Sequence, residues 1–158
     1  MPKVLGNFHR HELRAMLLLS IEEPKELCTF FQKDFFQLEK LMNYPKYKRY
    51  SIGKKQKGKR RICAPDERLK IIQKQLNFFL QAYYLSVKPN EVHGFIINPK
   101  YLEGKCNIVE NAKMHTGKKY VLNIDLKDFF PSISAGRVME VFTSHFFAFN
   151  EQIATALT

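Results

Sequence analysis

Long apolar runs, aspartate pairs and clustered cysteines are all missing from this chain of 158 residues. No stretch approaches the roughly 20 apolar residues of a membrane span, and the aliphatic run 16–19 is far too short for one. The first residues lack the charged start, apolar core and small-residue cleavage site of a secretory signal. Its three cysteines, Cys28, Cys63 and Cys106, are distant in sequence and form no metal-ligand pair. Free thiols in a reducing cytoplasm are the simplest expectation. There is no glycine-rich phosphate loop, no nucleophilic triad and no internal repeat. Aspartate is scarce, at Asp34, Asp66, Asp125 and Asp128, and no two are adjacent.

Acidic charge is short as well. Fifteen acids face 26 lysines and arginines, a net +11. The excess is local, because nine basic residues and no acid lie between Lys46 and Arg61. Setting those nine aside leaves 17 basic residues against 15 acids. Tyr47, Tyr50 and Ile52 precede a lysine-rich turn from Gly53 to Gly58, and extended character resumes at 61–64. This predicts a β-hairpin with a basic tip, its glycines permitting positive φ. So concentrated a charge favours a phosphate-bearing partner, bound through counterion release; a solvated loop is the plainer alternative.

The 45% hydrophobic content is enough for one globular core. Helical periodicity predicts a short helix over 12–20 and a longer one opened by Pro24, carrying Leu27, Phe30, Phe31, Phe35, Leu38, Leu41 and Met42 on one face. Leu69, Ile72, Leu76, Phe79, Leu80 and Tyr83 mark a third, ending before Pro89. A further helix is expected over 103–115. Ser134 caps another, with Val138, Val141, Phe142, His145 or Phe146, and Phe149 at helical spacing. Asn150 opens the last, bearing Ile153, Ala156 and Leu157. The aromatic stripes read as core rather than as base-stacking platforms.

The most informative stretch is Val121-Leu-Asn-Ile-Asp125-Leu-Lys-Asp128-Phe-Phe-Pro-Ser-Ile133. Residues 120–124 have strand character and deliver Asp125 at their end; the following residues read as a turn into a helix. A carboxylate at the end of a buried strand is unfavourable unless it binds something, and a divalent metal is the natural candidate. Helix capping by Asp125 or Asp128 is the alternative.

This stretch resembles the first catalytic motif of reverse transcriptases, in which an aspartate ends a strand and an aromatic stands five residues later. Asn111-Ala-Lys-Met-His115 resembles the Asn-Ala-x-x-His element of the retron type. His93-Gly-Phe95 resembles their His-Gly-Phe segment. Arg60-x-Ile62-x-x-Pro65 with Leu69-Lys70-x-Ile72-Gln73 resembles their fingers motif. Each block is weak alone; their order and spacing carry the resemblance, which is to retron-type bacterial reverse transcriptases.

The resemblance implies an α+β fold: a helical N-terminal segment over 1–45, fingers with a β-hairpin over 46–105, and the retron element with the first part of a right-hand palm over 106–158. It implies RNA-directed DNA synthesis, with Mg²⁺ at Asp125 and Leu126 and with Asp125 catalytic. Lys57, Arg60, Asp128, Phe129 and Phe130 would meet the incoming dNTP. Arg60 clamps its triphosphate with a planar donor fork, and Arg61 is the fallback if the register slips. Phe130 excludes a ribose 2′-hydroxyl, unless it is simply a core phenylalanine, and Asp128 structures the turn. Lys54, Lys55, Lys59, Arg61, Asn111 and His115 would contact nucleic acid, although structural roles suit Asn111 and His115 equally. His93 is expected to support the Gly94 turn. The implied partners are a structured non-coding RNA serving as template and primer, and the DNA product; an antiviral defence role is suggested by the same resemblance.

One departure is large. The family's second catalytic motif, Tyr-x-Asp-Asp, is not in this sequence, and Glu140 and Glu151 are the only acids after Asp128. Two-metal phosphoryl transfer needs several carboxylates. The expectation is therefore a chain ending before the second motif and inactive alone. It is either one chain of a split enzyme, with a second chain supplying the rest, or a nucleic-acid-binding remnant.

Overall fold

The computed structural model describes residues 8–54, 58–98 and 106–158. Its described elements are helices joined to one antiparallel hairpin, an α+β arrangement. Helix α1 (Arg10–Leu19) lies against the long α4 (Glu67–Val87). The Arg14 guanidinium sits 3.9 Å from the Phe78 ring centroid across that contact. Asp66 starts α4 by accepting from the Leu69 backbone N–H at 2.9 Å, a cap worth about 1 kcal/mol. Lys88 ends it just before Pro89.

The longer helix expected from Pro24 to Met42 is instead two, α2 (Glu26–Phe31) and α3 (Phe35–Asn43). Gln32 turns left-handed at φ 51°, and Asp34 restarts the chain by accepting from Gln37 N–H at 2.8 Å. The break re-aims the apolar stripe, so that Leu27, Phe31 and Leu38 are all buried. Phe35, assigned by periodicity to that stripe, is instead exposed, as is Phe36.

Strands β1 (Tyr47–Gly53) and β2 (Lys59–Pro65) pair over their whole length, from Tyr47 opposite Pro65 to Gly53 opposite Lys59. Gly58 carries φ 123° at the turn, a conformation that side chains resist, and Lys54 N–H donates to its carbonyl at 3.0 Å. Lys55 and Lys57 lie outside the described residues.

In the remaining chain, α5 (Ile108–Met114) is capped by Asn107; residues 103–105 of the helix expected there lie outside the described residues. A single turn, α6 (Phe129–Ser132), precedes α7 (Ala135–Thr143) and α8 (Glu151–Leu157). Ser134 and Asn150 cap α7 and α8 as expected. But α7 stops at Thr143, so Phe146 and Phe149 are not on it. The chain instead doubles back through a left-handed Ala148, and Phe149 N–H donates to Phe142 O at 3.0 Å. Phe149 thereby reaches the core by a turn rather than by helical spacing.

That core joins both ends of the chain: Leu18, Leu27, Phe31 and Leu38 meet Phe142, Phe149, Ile153 and Ala154, with Ile72 of α4 between. Full burial of each large aliphatic or aromatic side chain contributes about 1.5–3 kcal/mol. Asn150 locks the arrangement, because its Nδ2 donates to Glu22 O at 2.7 Å while its Oδ1 caps α8.

The expected buried strand over 120–124 is not formed. Residues 120–126 form no regular element and have no ladder partner among the described residues, and Tyr120, Leu122 and Ile124 are each more than 80% exposed. A strand's hydrogen bonds are all supplied by a neighbour, and among the described residues only β1 and β2 pair.

Candidate nucleotide and nucleic-acid site

The hairpin register sorts its cations by face, because residues paired across a ladder project the same way and alternate along it. Lys48, Tyr50, Ile52, Arg60 and Ile62 share one face. Arg49, Ser51, Lys59, Arg61 and Cys63 share the other. Arg60 and Arg61 therefore project oppositely, and a slip of one residue would exchange them. Every residue of β1 is exposed, as are Lys59, Arg60 and Arg61. None of these cations has an ion-pair partner among the described residues; the acids pair elsewhere, with Lys25, Arg68, Lys70 and Lys113. The hairpin is thus an uncompensated positive surface. It is anchored at its base, where β2 meets α4 and Gln73 Nε2 donates to the Tyr47 hydroxyl at 3.2 Å.

Asp125 sits on the exposed segment 120–126 and makes no hydrogen bond or ion pair among the described residues. Its carboxylate caps no helix there. Leu126 beside it is 65% exposed. Asp128 has φ 53°, which Asp tolerates better than most residues. It shapes the turn through its backbone, its carbonyl accepting from Ser132 N–H at 3.0 Å, while its side chain makes no capping bond. Phe129 and Phe130 pack edge to face, with centroids 5.4 Å apart. Phe130 is 68% exposed, so it is not a core residue.

The His93-Gly-Phe95 block meets two of the others in space. Phe95 packs edge-on against Phe130, with centroids 6.1 Å apart. The left-handed residue of this loop is Phe95, at φ 58°, so the turn expected at Gly94 falls one residue later. Gln81 of α4 holds it there: Nε2 donates to Phe95 O at 2.8 Å and Oε1 accepts from Ile97 N–H at 3.0 Å. His93 Nε2 lies 3.0 Å from the Met114 sulfur. A thioether is only a weak acceptor, so Nε2 carries the proton there, and the enclosed Nδ1 has no partner among the described residues. His93 therefore ties its loop to α5 and does not support the Gly94 turn alone. Asn111 and His115, at i and i+4 around the end of α5, are both exposed and lie near one face. No hydrogen bond, ion pair or ring contact among the described residues joins the hairpin to residues 120–133.

Gln81 and Phe95 were not assigned roles from sequence. Phe95 lay inside a quoted motif, but the contact that gives it a role spans 35 residues of chain. Gln81 lies on a helix face with no local signal. Asn98 is a third such residue: its side chain donates to Cys106 O at 2.8 Å and accepts from Cys106 N–H at 2.7 Å.

Among the described residues no group of three or more His, Cys, Asp and Glu side chains is arranged to hold a metal ion. Asp125 offers a single carboxylate, and one carboxylate does not make a metal centre. No helix of the described residues is long and apolar enough to cross a membrane.

The chain is 37% identical over 116 residues to the retron Ec86 reverse transcriptase of Escherichia coli, covering 72% of this chain and 32% of that protein. It is 37% identical over 92 residues to the retron Mx65 reverse transcriptase of Myxococcus xanthus, covering 58% and 19%. With the retron Ec83 reverse transcriptase of Escherichia coli it shares 34% over 112 residues, covering 69% and 33%. The chain is related to the retron reverse transcriptases. It spans about a third or less of the length of these curated relatives. No family model and no solved structure matches it.

Proposed function

We propose that this chain supplies the fingers, the retron-type element and the first catalytic carboxylate of an RNA-directed DNA polymerase. The observation carrying this reading is the packing of Phe95 on Phe130, five residues after Asp125, in a chain related to retron reverse transcriptases. The contact builds an exposed aromatic pair in the segment that follows an uncommitted carboxylate in sequence, which selection of an incoming dNTP would use. Phe130 and Phe129 would bear on the sugar, Asp128 and Leu126 would set the backbone around it, and Arg60 with Lys57 would meet the triphosphate. Lys54, Lys55, Lys59 and Arg61, with Asn111 and His115, would follow a structured RNA template and primer and the DNA product. Asp125 would hold Mg²⁺ together with carboxylates that these 158 residues do not contain; the ion supplies charge neutralisation at the transferring phosphoryl group. The setting would be the cytoplasm.

A second reading has its own support. Without a Tyr-x-Asp-Asp segment, the chain by itself would bind nucleic acid and not extend it. The exposed apolar side chains of 120–126 favour completion by further polypeptide, in the same chain or a second one.

The test combines this chain with a polypeptide bearing the second motif from a retron relative. RNA binding is expected from the chain alone, and primer extension only from the combination. Asp125→Asn should reduce extension at least about 100-fold, beyond what loss of a metal ligand's supporting partner does, and leave RNA affinity unchanged. Extension by the variant would remove Asp125 from the catalytic role; no RNA binding by the chain would sink the nucleic-acid reading as a whole.

A further inference from the structure

A second basic surface lies at the base of the hairpin, away from the residues assigned above. Between α3 and the start of α4 is an open cleft of about 380 Å³, within the size range of small-ligand sites. Its lining combines Leu41, Tyr44 and Ile71 with the cations Lys33, Lys40, Lys46 and Arg68. Tyr44 ends α3 and is 74% exposed, so its ring is not part of the core. Lys33, Lys40 and Lys46 have no ion-pair partner among the described residues. The one acid on the cleft, Asp66, is already committed: Oδ1 accepts from Leu69 N–H at 2.9 Å, and Oδ2 lies 3.8 Å from the Arg68 guanidinium.

An open aromatic face ringed by uncompensated cations is the pairing of a stacking platform with phosphate-binding charge. A purely apolar ligand would leave the cations unused, and a bare phosphate would leave the ring unused. A duplex hides its base faces from any such platform. We propose that this cleft binds one unpaired nucleotide of a single-stranded RNA segment, the base stacked on Tyr44 and the flanking phosphates on Lys40 and Lys46. Lys46 also begins the hairpin's basic run, and its carbonyl accepts from Asp66 N–H at 2.8 Å. From the cleft, the strand can continue onto the basic hairpin, whose β1 is about 23 Å long at 3.3 Å per residue and carries Lys48 and Arg49 near its start.

The proposal rests on the nucleic-acid reading above but on different residues, so the two fail separately. The probes are a single-stranded RNA of about 12 nucleotides, within the span of known single-strand binding sites, and a blunt RNA duplex, each titrated by fluorescence anisotropy. Tyr44→Ala should weaken single-strand binding about tenfold and leave duplex binding unchanged, while Tyr44→Phe keeps the wild-type affinity. The double variant Lys40→Glu with Lys46→Glu should lower the slope of log affinity against log salt by about 1.4. Photo-crosslinking of a 4-thiouridine strand should map to the peptide containing Tyr44. Wild-type single-strand affinity in Tyr44→Ala, an equal loss in Tyr44→Phe, or an equal loss for the duplex would each overturn the proposal. If the cleft variants bind normally while Arg60→Glu with Arg61→Glu does not, the cleft proposal falls and the hairpin reading stands.

Discussion

The basic hairpin and the aspartate-bearing segment are both exposed, but they are exposed for different reasons. In the hairpin each strand satisfies the other across seven paired positions, and its side chains are mostly charged or polar. It is complete, and its exposure is that of a surface built for water or a polyanion. Residues 120–126 have no backbone partner among the described residues, and they present Tyr120, Leu122, Ile124 and Leu126 to solvent. Apolar side chains on an unpaired segment suit an element that packs against a neighbour. One region has its backbone satisfied as it stands; the other leaves apolar side chains and a carboxylate in solvent.

The sharpest way to break that comparison is to measure stability on both sides of it. Ile153→Ala, in the fully buried core, should cost about 2–5 kcal/mol in chemical denaturation. Leu122→Lys, at 83% exposure, should change it by no more than about 0.5 kcal/mol. A loss of several kcal/mol in Leu122→Lys would mean that the segment is packed in solution, and the contrast would disappear. In the combined extension assay the order reverses: Leu122→Lys should impair synthesis, because a charge then sits where a covering strand must pack.

A smaller effect sharpens the hairpin side. Arg60 and Arg61 project to opposite faces, so Arg60→Gln and Arg61→Gln should not be equivalent. Each should lower the salt slope of single-strand RNA binding by about 0.7 if it touches a phosphate. Only the variant on the nucleotide-facing side should also raise the KM for dNTP in extension. The reading favours Arg60; a KM effect confined to Arg61→Gln would move the triphosphate to the other face of the ladder.

What could be read from the sequence follows the range of the interactions involved. The hairpin was legible because its signals, alternation and glycines around a basic turn, are local. The caps at Ser134 and Asn150 were legible for the same reason, since each accepts from a backbone N–H three residues on. Asp34 three residues before Gln37 was an equally local signal, but the continuous apolar stripe outweighed it and the break at Gln32 was missed. The strand over 120–124 was misjudged because periodicity reports what a segment suits, while pairing depends on a neighbour that no local window contains. The order of the motif blocks indicated the retron relationship. Their meeting, Phe95 on Phe130 and His93 on Met114, depends on the path of α4 and on Gln81, and no spacing rule contains that.

The smallest expected effect isolates the scaffold from both regions. Glu26, at the start of α2, accepts from Glu22 N–H at 2.8 Å and Glu23 N–H at 3.0 Å. Those two backbone donors, Glu22 first, favour the charged carboxylate and hold its pKa below the ordinary 4.5, with Lys25 adding a minor push in the same direction. A carboxylate whose pKa is depressed by folding contributes stability above its unfolded value and loses that contribution as pH falls through the folded one. Glu26→Gln should therefore melt slightly below the wild type near neutral pH, with the gap closing as pH drops beneath 4.5. Because the carboxylate is exposed, the gap should be small. Thermal melts across the acid range would detect it, and RNA affinity at neutral pH should not move. A gap that instead widened in acid would mean that the Glu26 carboxylate does not hold the turn into α2.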